Sequence, residues 1–410
     1  MSENQKKILI ISYYAGIPGA CQSEWLDDKI DSLIKGGNTV EVVSGPFAKL
    51  KIGNEIKHSR VASISLKDFK EERGQMAEFV GYVGRWYALM WPLVLTFGVI
   101  SDLLSIAVTR GIGEGRWSWT FSSVIPSLWR AMIFRPDVIL TTGGPASAHI
   151  VGILVSKIVR CSVVLELQDP LSGDDIGRNP EARGWLYRVE KALIAFADKI
   201  VYVTNGAANF AIREFGTEKI SAVYPGATNF NIPKSEFRKG TLKLVHLGSL
   251  YASRNFKAII AGIESLIADG VLAENGVELI NLGHVSPEIK AEICLKSYVR
   301  ILSPVPREEA LRYAADCEIM LLIQNADDRS RVTIPYKTYD YLNLENSTLA
   351  LLNSEELTGL ISAHGHFAVD LEDLEGIKSA IKQIMNSEFQ ARPKLPKIDP
   401  VIQALSLVRI

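Results

Sequence analysis

Short apolar runs separated by amphipathic stretches recur along the whole 410-residue sequence, and this alternation limits the fold more than any other feature. Runs at 7–12, 39–43, 137–141, 162–167 and 199–203 are rich in Ile, Val and Leu and are bounded by glycine, proline or polar residues. Such runs read as strands buried on both faces, which is the pattern of parallel sheets covered by helices. The segments between them carry a helical period. In 23–35, Trp25, Leu26, Ile30, Leu33 and Ile34 fall on one side, and Gly36-Gly37 ends the helix. Strands alternating with helices in this way build βαβ units. A polar connection bearing Pro225, Gly226 and Gly240 interrupts the series, which then restarts at 242–247, 277–282, 319–323 and 349–352. A chain of this length divides by default into two domains of ~200 residues. The expected fold is therefore α/β, with two doubly wound Rossmann-like domains at 1–222 and 241–388 joined by a linker at 223–240. Two such domains side by side place a ligand cleft at the carboxyl ends of their strands.

Composition narrows the function. Apolar residues make up 47% of the chain and the net charge is −1, which supplies a core and argues against a dedicated nucleic-acid binder. Cys21, Cys161, Cys294 and Cys317 form no C-x-x-C and no metal spacing, and they read as reduced core thiols of a cytosolic protein. The first residues run straight into a strand without the apolar region of a signal peptide. One segment is unusual: five of the seven tryptophans (Trp86, Trp91, Trp117, Trp119 and Trp129) lie within 86–129, and Arg110, Arg116 and Arg130 are interleaved with them. Pro92, Gly98 and Asp102 break its apolar run, which disfavours a membrane span. Trp and Arg beside apolar residues fit a segment lying in a membrane interface; packing in the N-terminal core is the alternative.

The stretch 334–342, Ile-Pro-Tyr-Lys-Thr-Tyr-Asp-Tyr-Leu, follows the apolar strand 319–323 and a polar loop. Pro335 suits the start of a helix, and Lys337 and Asp340 lie three residues apart on it. A cation there can meet a phosphate, and a carboxylate one turn on can accept from a ribose diol. A salt-bridged amphipathic helix is the plainer reading. The stretch resembles the Pro-Ser-Lys-x-Tyr-Glu-Tyr-Leu segment of family 4 glycosyltransferases with the GT-B fold, in which the carboxylate binds the nucleotide ribose. Asp340 stands at that position, one methylene shorter than the usual Glu. The second Glu that many members carry eight residues upstream, against the donor sugar, is Val332 here.

The same resemblance extends to other loops. Gly248-Ser249, followed by Arg254 and Lys257, is similar to the glycine loop that binds the donor phosphates, with Lys337 as the other phosphate contact. Leu282-Gly283-His284 is similar to the strand end under the base, and Val305 of Ser303-Pro-Val-Pro306 to the residue whose backbone reads the base edge. On the acceptor side, Gly16 and Gly19 resemble the family's first glycine loop. Gln168-Asp169-Pro170 resembles the Arg-Asp-Leu-Trp-Pro segment of a polysaccharide-building branch. Asp169, at a strand's carboxyl end, is the candidate to orient or deprotonate an acceptor hydroxyl; Asp174 and Asp175 are alternatives. His149 is a further acceptor-side candidate, although a histidine bonded within the fold explains it as well. Glu190 and Asp198 match a pattern read as structural. His364 and His366 lack a carboxylate partner for a metal. No metal or other cofactor is expected, because GT-B enzymes stabilise the leaving diphosphate with cations and helix dipoles. The resemblance also implies that the tail 389–410 crosses back to the first domain.

The reading that follows is a glycosyltransferase of retaining stereochemistry, moving a hexosyl or N-acetylhexosaminyl group. The donor would be a nucleotide-diphosphate sugar, a UDP-sugar before a GDP-sugar. The acceptor would be a glycan or lipid-linked glycan in cell-surface polysaccharide assembly, with the protein cytoplasmic and peripheral on the inner face of the membrane through 86–129. A sugar-nucleotide epimerase and a non-catalytic GT-B partner protein are the alternatives.

Overall fold

The structure is a computed structural model that describes residues 5–17, 21–47, 50, 56–63, 96–104, 106–107, 116–172, 180–232, 240–386 and 398–410. The chain divides into two units: Met1–Pro225 with Pro400–Ile410, and Gly226–Asp399.

Unit 1 is a seven-stranded parallel sheet. Its strands are β1 (Lys7–Ser12), β2 (Thr39–Ser44), β3 (Lys57–Arg60), β4 (Val138–Thr142), β5 (Ser162–Leu167), β6 (Lys199–Tyr202) and β7 (Ile220–Ala222). They lie in the order β3-β2-β1-β4-β5-β6-β7. Successive residues of a strand face opposite sides. Leu9, Ile11, Ile139, Val163 and Leu165 therefore enter one core, with Trp119 and Ala148. Ile8, Ile10, Val138, Leu140 and Val164 enter the other, with Leu26, Ile30 and Leu33. The helix Pro400–Leu407 closes this second layer: Ala404 and Leu407 join its core, and Leu405 lies so close to Gly36 that a Cβ there would meet it at 2.7 Å. Lys199 Nζ donates to the Ser406 and Arg409 carbonyls, each at 2.8 Å.

Unit 2 is a six-stranded parallel sheet of β8 (Leu242–Leu247), β9 (Val277–Leu282), β10 (Val299–Leu302), β11 (Ile319–Ile323), β12 (Ser347–Leu352) and β13 (Phe367–Asp370), in the order β10-β9-β8-β11-β12-β13. Residues read as part of the linker 223–240 pack within this unit: Asn343 Nδ2 donates to the Ala227 carbonyl at 3.0 Å, and the Phe230 ring lies under Arg307.

The cysteines depart from the expectation of core thiols, since Cys21 and Cys294 are exposed and only Cys317 is buried. The tryptophans divide. Trp119 is wholly buried, with its Nε1 donating to the Val61 carbonyl at 2.9 Å and its ring edge-on to Tyr13, whereas Trp129 is 64% exposed. Trp86 and Trp91 lie outside the described residues. Among the described residues no helix is long and apolar enough to cross a membrane.

Candidate functional site

In a doubly wound sheet a ligand meets the carboxyl ends of the strands where the strand order reverses. In unit 2 that point lies between β8 and β11. Gly248 follows β8 directly with φ +117°, in the region that favours glycine. A Cβ there would lie 3.8 Å from Lys337 Nζ. Gly283, after β9, has φ +148°, and a Cβ on it would stand 2.3 Å from the Gly248 carbonyl oxygen, so the close approach of the two loops requires a glycine at 283. Gly248 N donates to the Leu282 carbonyl, which commits that amide. Ser249 is half-buried, and no bond of its N–H or Oγ is found among the described residues.

Lys337 reaches this point from the helix Lys337–Asn343, donating to His246 Nε2 at 2.6 Å and to the Leu247 carbonyl at 2.9 Å. Tyr341 fixes the helix: its wholly buried hydroxyl accepts from Leu247 N at 3.2 Å and donates to the Leu321 carbonyl at 3.4 Å, tying together the two strands at the reversal. Burial pushes the Tyr341 pKa up, so it stays a donor. Arg254 arrives from the other side. Tyr251 and Arg254 exchange two backbone hydrogen bonds around a tight turn with Ala252 at φ +52°, a conformation that costs an L-residue about 1 kcal/mol or more. Asn325 holds the turn by accepting from Arg254 N at 3.0 Å. The Arg254 guanidinium lies over the Tyr251 ring, and its Nε is buried with no partner among the described residues. Burial first, then Lys337 and Arg254, push the His246 pKa well below its ordinary value. The two cations thus converge on the end of β8, beside two glycine loops.

Asp340, three residues beyond Lys337, is held by a different cation. Arg307, at the start of the helix Arg307–Ala315, forks onto it, with Nε at 3.2 and 3.1 Å from the two oxygens and a terminal nitrogen at 2.5 Å. The guanidinium lies over Phe230 and Tyr336 at 5.2 and 5.0 Å. Two other candidates fall differently. Lys257 opens the helix Lys257–Ala268 and pairs with Glu292 at 3.4 Å, both at least half-exposed to solvent, so its charge goes to a surface pair. Val305 is half-buried, and no bond to its backbone N–H or C=O is found among the described residues.

In unit 1 the strand order reverses between β1 and β4. Gly16, at φ +80°, follows β1, and its N–H donates to Ser23 Oγ at 2.9 Å. Gly19, Asp174 and Asp175 lie outside the described residues. Gly143, after β4, sits beside Gln168, after β5. Asp169 is half-buried in the bend that follows. Glu190 shapes that bend: wholly buried, it accepts from Leu171 N at 3.2 Å, Ser172 N at 3.0 Å, Ser172 Oγ at 2.6 Å and Tyr202 Oη at 2.7 Å. Beneath the end of β4, Lys29 pairs with Glu166, and Thr142 also donates to that carboxylate. Burial lowers the Lys29 pKa while Glu166 opposes the shift.

His149 corrects the acceptor-side expectation. It is wholly buried in the helix Ala146–Val159, its Nδ1 shares a hydrogen bond with Thr141 Oγ1 at 2.6 Å, and burial lowers its pKa to about 4. A neutral, enclosed ring supports the fold and is not presented to a substrate. His364 and His366 bond to Leu360 O and Thr348 N in the same supporting way.

No protein-family model matches the sequence, and no curated protein sequence does. Solved structures match along nearly the whole chain. Anabaena Alr3699/HepE in complex with UDP and glucose superposes over 98% of this chain and 95% of its own, with a TM-score of 0.60 at 14% identity. Sucrose-phosphate synthase from Thermosynechococcus elongatus gives the same coverage and TM-score at 11% identity. The chain has the GT-B fold. An α,α-trehalose-phosphate synthase (UDP-forming) from Burkholderia xenovorans, in complex with glucose-6-phosphate, matches over the same shares at a TM-score of 0.59 and 10% identity. These neighbours are GT-B glycosyltransferases.

Proposed function

We propose that the protein is a glycosyltransferase that takes its sugar from a UDP-sugar, with unit 2 holding the donor and unit 1 the acceptor. The observation that carries this reading is the convergence of Lys337 and Arg254 on the Gly248 loop at the strand reversal of unit 2. Two permanent cations against exposed backbone match a diphosphate, whose developing charge on departure they would stabilise. Asp340 would receive the ribose diol, Val305 the base edge, and Asp169 the acceptor hydroxyl. Retention, and transfer of a hexosyl or N-acetylhexosaminyl group, belong to the same reading. UDP in the HepE structure and in the name of the trehalose-phosphate synthase supports uracil over guanine.

Two observations favour the non-catalytic alternative: Asp340 already carries the Arg307 fork, and Val332 stands where a sugar-binding Glu would. Melting temperatures with UDP, GDP, dTDP and CDP decide between the two. A nucleotide at ~100 times its Kd adds ~2.7 kcal/mol of stability. We expect UDP to raise the melting point of the wild type and not that of Asp340→Ala. No shift with any nucleotide would end the donor reading.

The acceptor reading rests on the outer face of the helix Trp117–Phe134, where Phe121, Ile125, Trp129, Met132 and Ile133 are each at least half-exposed. Leu154 and Ile158 are exposed on the adjoining helix Ala146–Val159. Neither helix contains a carboxylate, and Arg135, Lys157 and Arg160 are exposed at their ends. An apolar face with a cationic rim complements an anionic bilayer. It would bring the enzyme to a lipid-linked glycan at the inner face of a membrane. We expect the protein to float with vesicles containing phosphatidylglycerol, and Ile125→Asp/Trp129→Asp to stay in solution; equal flotation of both would remove the membrane from the proposal.

A further inference from the structure

The buried strand end beneath the proposed diphosphate site contains a histidine that no part of the reading above uses. His246 and Asn281 are both wholly buried, on adjacent strands β8 and β9. Asn281 Nδ2 donates to the Gly283 carbonyl at 3.1 Å, so its Oδ1 is the atom facing His246 Nδ1 at 2.8 Å. An amide oxygen only accepts, so Nδ1 carries the ring proton. Nε2 is then a lone pair, and Lys337 Nζ lies 2.6 Å from it. The Leu247 carbonyl, at 2.9 Å, takes a second proton of the same ammonium. Lysine is a point charge on a flexible stem, and two acceptors fixed in the sheet hold it against the Gly248 loop.

We propose that His246, oriented by Asn281, is the positioning residue for Lys337 and sets where that cation meets the donor diphosphate. The proposal rests on the donor reading above. It adds a residue that touches no substrate and acts only through the lysine. Burial of the imidazole is what makes the device work, because the neutral ring accepts from an ammonium that a charged ring would expel. The flanking Gly283 fits the same purpose: its carbonyl fixes the amide, and its backbone contacts Gly248.

Glutamine at position 246 can offer an acceptor to Lys337, whereas leucine cannot. The test is UDP binding by calorimetry to His246→Leu, His246→Gln, Lys337→Ala and the Leu/Ala double variant. Losing a hydrogen bond to a charged group weakens binding about tenfold or more, which is the expectation for His246→Leu, with His246→Gln recovering most of it. In the Lys337→Ala background the leucine change is expected to cost nothing further, a non-additivity that a general packing defect would not produce. Equal losses in both backgrounds, or no loss in His246→Leu, would overturn the positioning role while leaving the donor site intact. Failure of the wild type to bind UDP would instead remove the donor reading and this proposal with it. Imidazole ¹⁵N shifts of the unmodified protein give a check that does not depend on a variant folding: a pyridine-type Nε2 is expected, and a protonated Nε2 would refute the arrangement.

Discussion

Lowering the pH from 7.5 to 5 is expected to remove about 4 kcal/mol of stability from unit 1 before most carboxylates take up a proton. Two histidines cause it. His58, on β3, is largely buried, with Nε2 2.7 Å from Ser44 Oγ; burial first, then Arg60, lowers its pKa to about 4. His149 is wholly buried and burial lowers it to about 4 as well. The unfolded chain binds a proton at each ring below the ordinary value of 6.5, while the folded chain does so only near 4. Between those values the unfolded state holds more protons, so stability rises with pH and is lost as pH falls through the window. Each ring contributes a loss of about 2 kcal/mol at pH 5 and about 3 kcal/mol at pH 4. His246, buried in unit 2 with its pKa also lowered, acts in the same direction there. Against a total of ~5–15 kcal/mol for a typical domain, this is enough to make acid unfolding begin well above the carboxylate range. Urea midpoints at pH 7.5 and 5 measure it, and His149→Gln should flatten part of the slope. A midpoint that does not move between those pH values would show that the rings titrate normally.

How much of this was legible in the sequence depends on how local the signal is. Strand–helix alternation is local, and it led to two doubly wound α/β units because apolar runs such as 8–11 and 319–323 are buried on both faces; the GT-B fold was reached only through the resemblance of the 335–342 segment. Gly248 and Lys337 could be singled out because a glycine after a strand and a cation at a helix start are short-range patterns. The partners of these residues are not short-range. His246 lies 91 residues from Lys337, and Arg307 lies 33 from Asp340. A histidine inside Leu-Val-His-Leu reads as one more strand residue, and nothing at 303–307 announces a fork onto the next helix. Spacing also misplaces charge. Lys337 and Asp340, three apart, suggest a shared face, yet one side chain runs to the end of β8 and the other to Arg307. Lys257 follows Arg254 as a second phosphate cation would, but the first turn of its helix points it at Glu292. His149 sits in a glycine-flanked segment that looks like a site, and only the packing of its helix against β4 shows that the ring is enclosed.

Replacing Glu190 by glutamine is expected to be far more damaging than its near-identical shape implies, with a loss of about 3 kcal/mol of stability and of turnover. All four groups around the carboxylate are donors to it: Leu171 N and Tyr202 Oη meet Oε1, and Ser172 N and Oγ meet Oε2. An ionised carboxylate accepts on both oxygens, whereas an amide turns one of the two positions into a donor. Whichever way the glutamine is flipped, its NH2 faces a backbone N–H in a fully buried place and leaves it without an acceptor. The tyrosine hydroxyl can rotate away, but Leu171 N and Ser172 N cannot without opening the turn. That turn begins one residue after Asp169-Pro170, so opening it displaces the aspartate proposed to meet the acceptor hydroxyl. The residues proposed to hold the donor belong to unit 2. Glu190→Gln should therefore bind UDP as the wild type does while releasing UDP from a UDP-sugar at a rate lower by about a hundredfold, the scale of a misplaced catalytic group. Wild-type stability together with wild-type turnover would mean that the bend at Asp169 does not depend on this carboxylate. A parallel loss of UDP affinity would mean instead that the substitution had spread beyond unit 1.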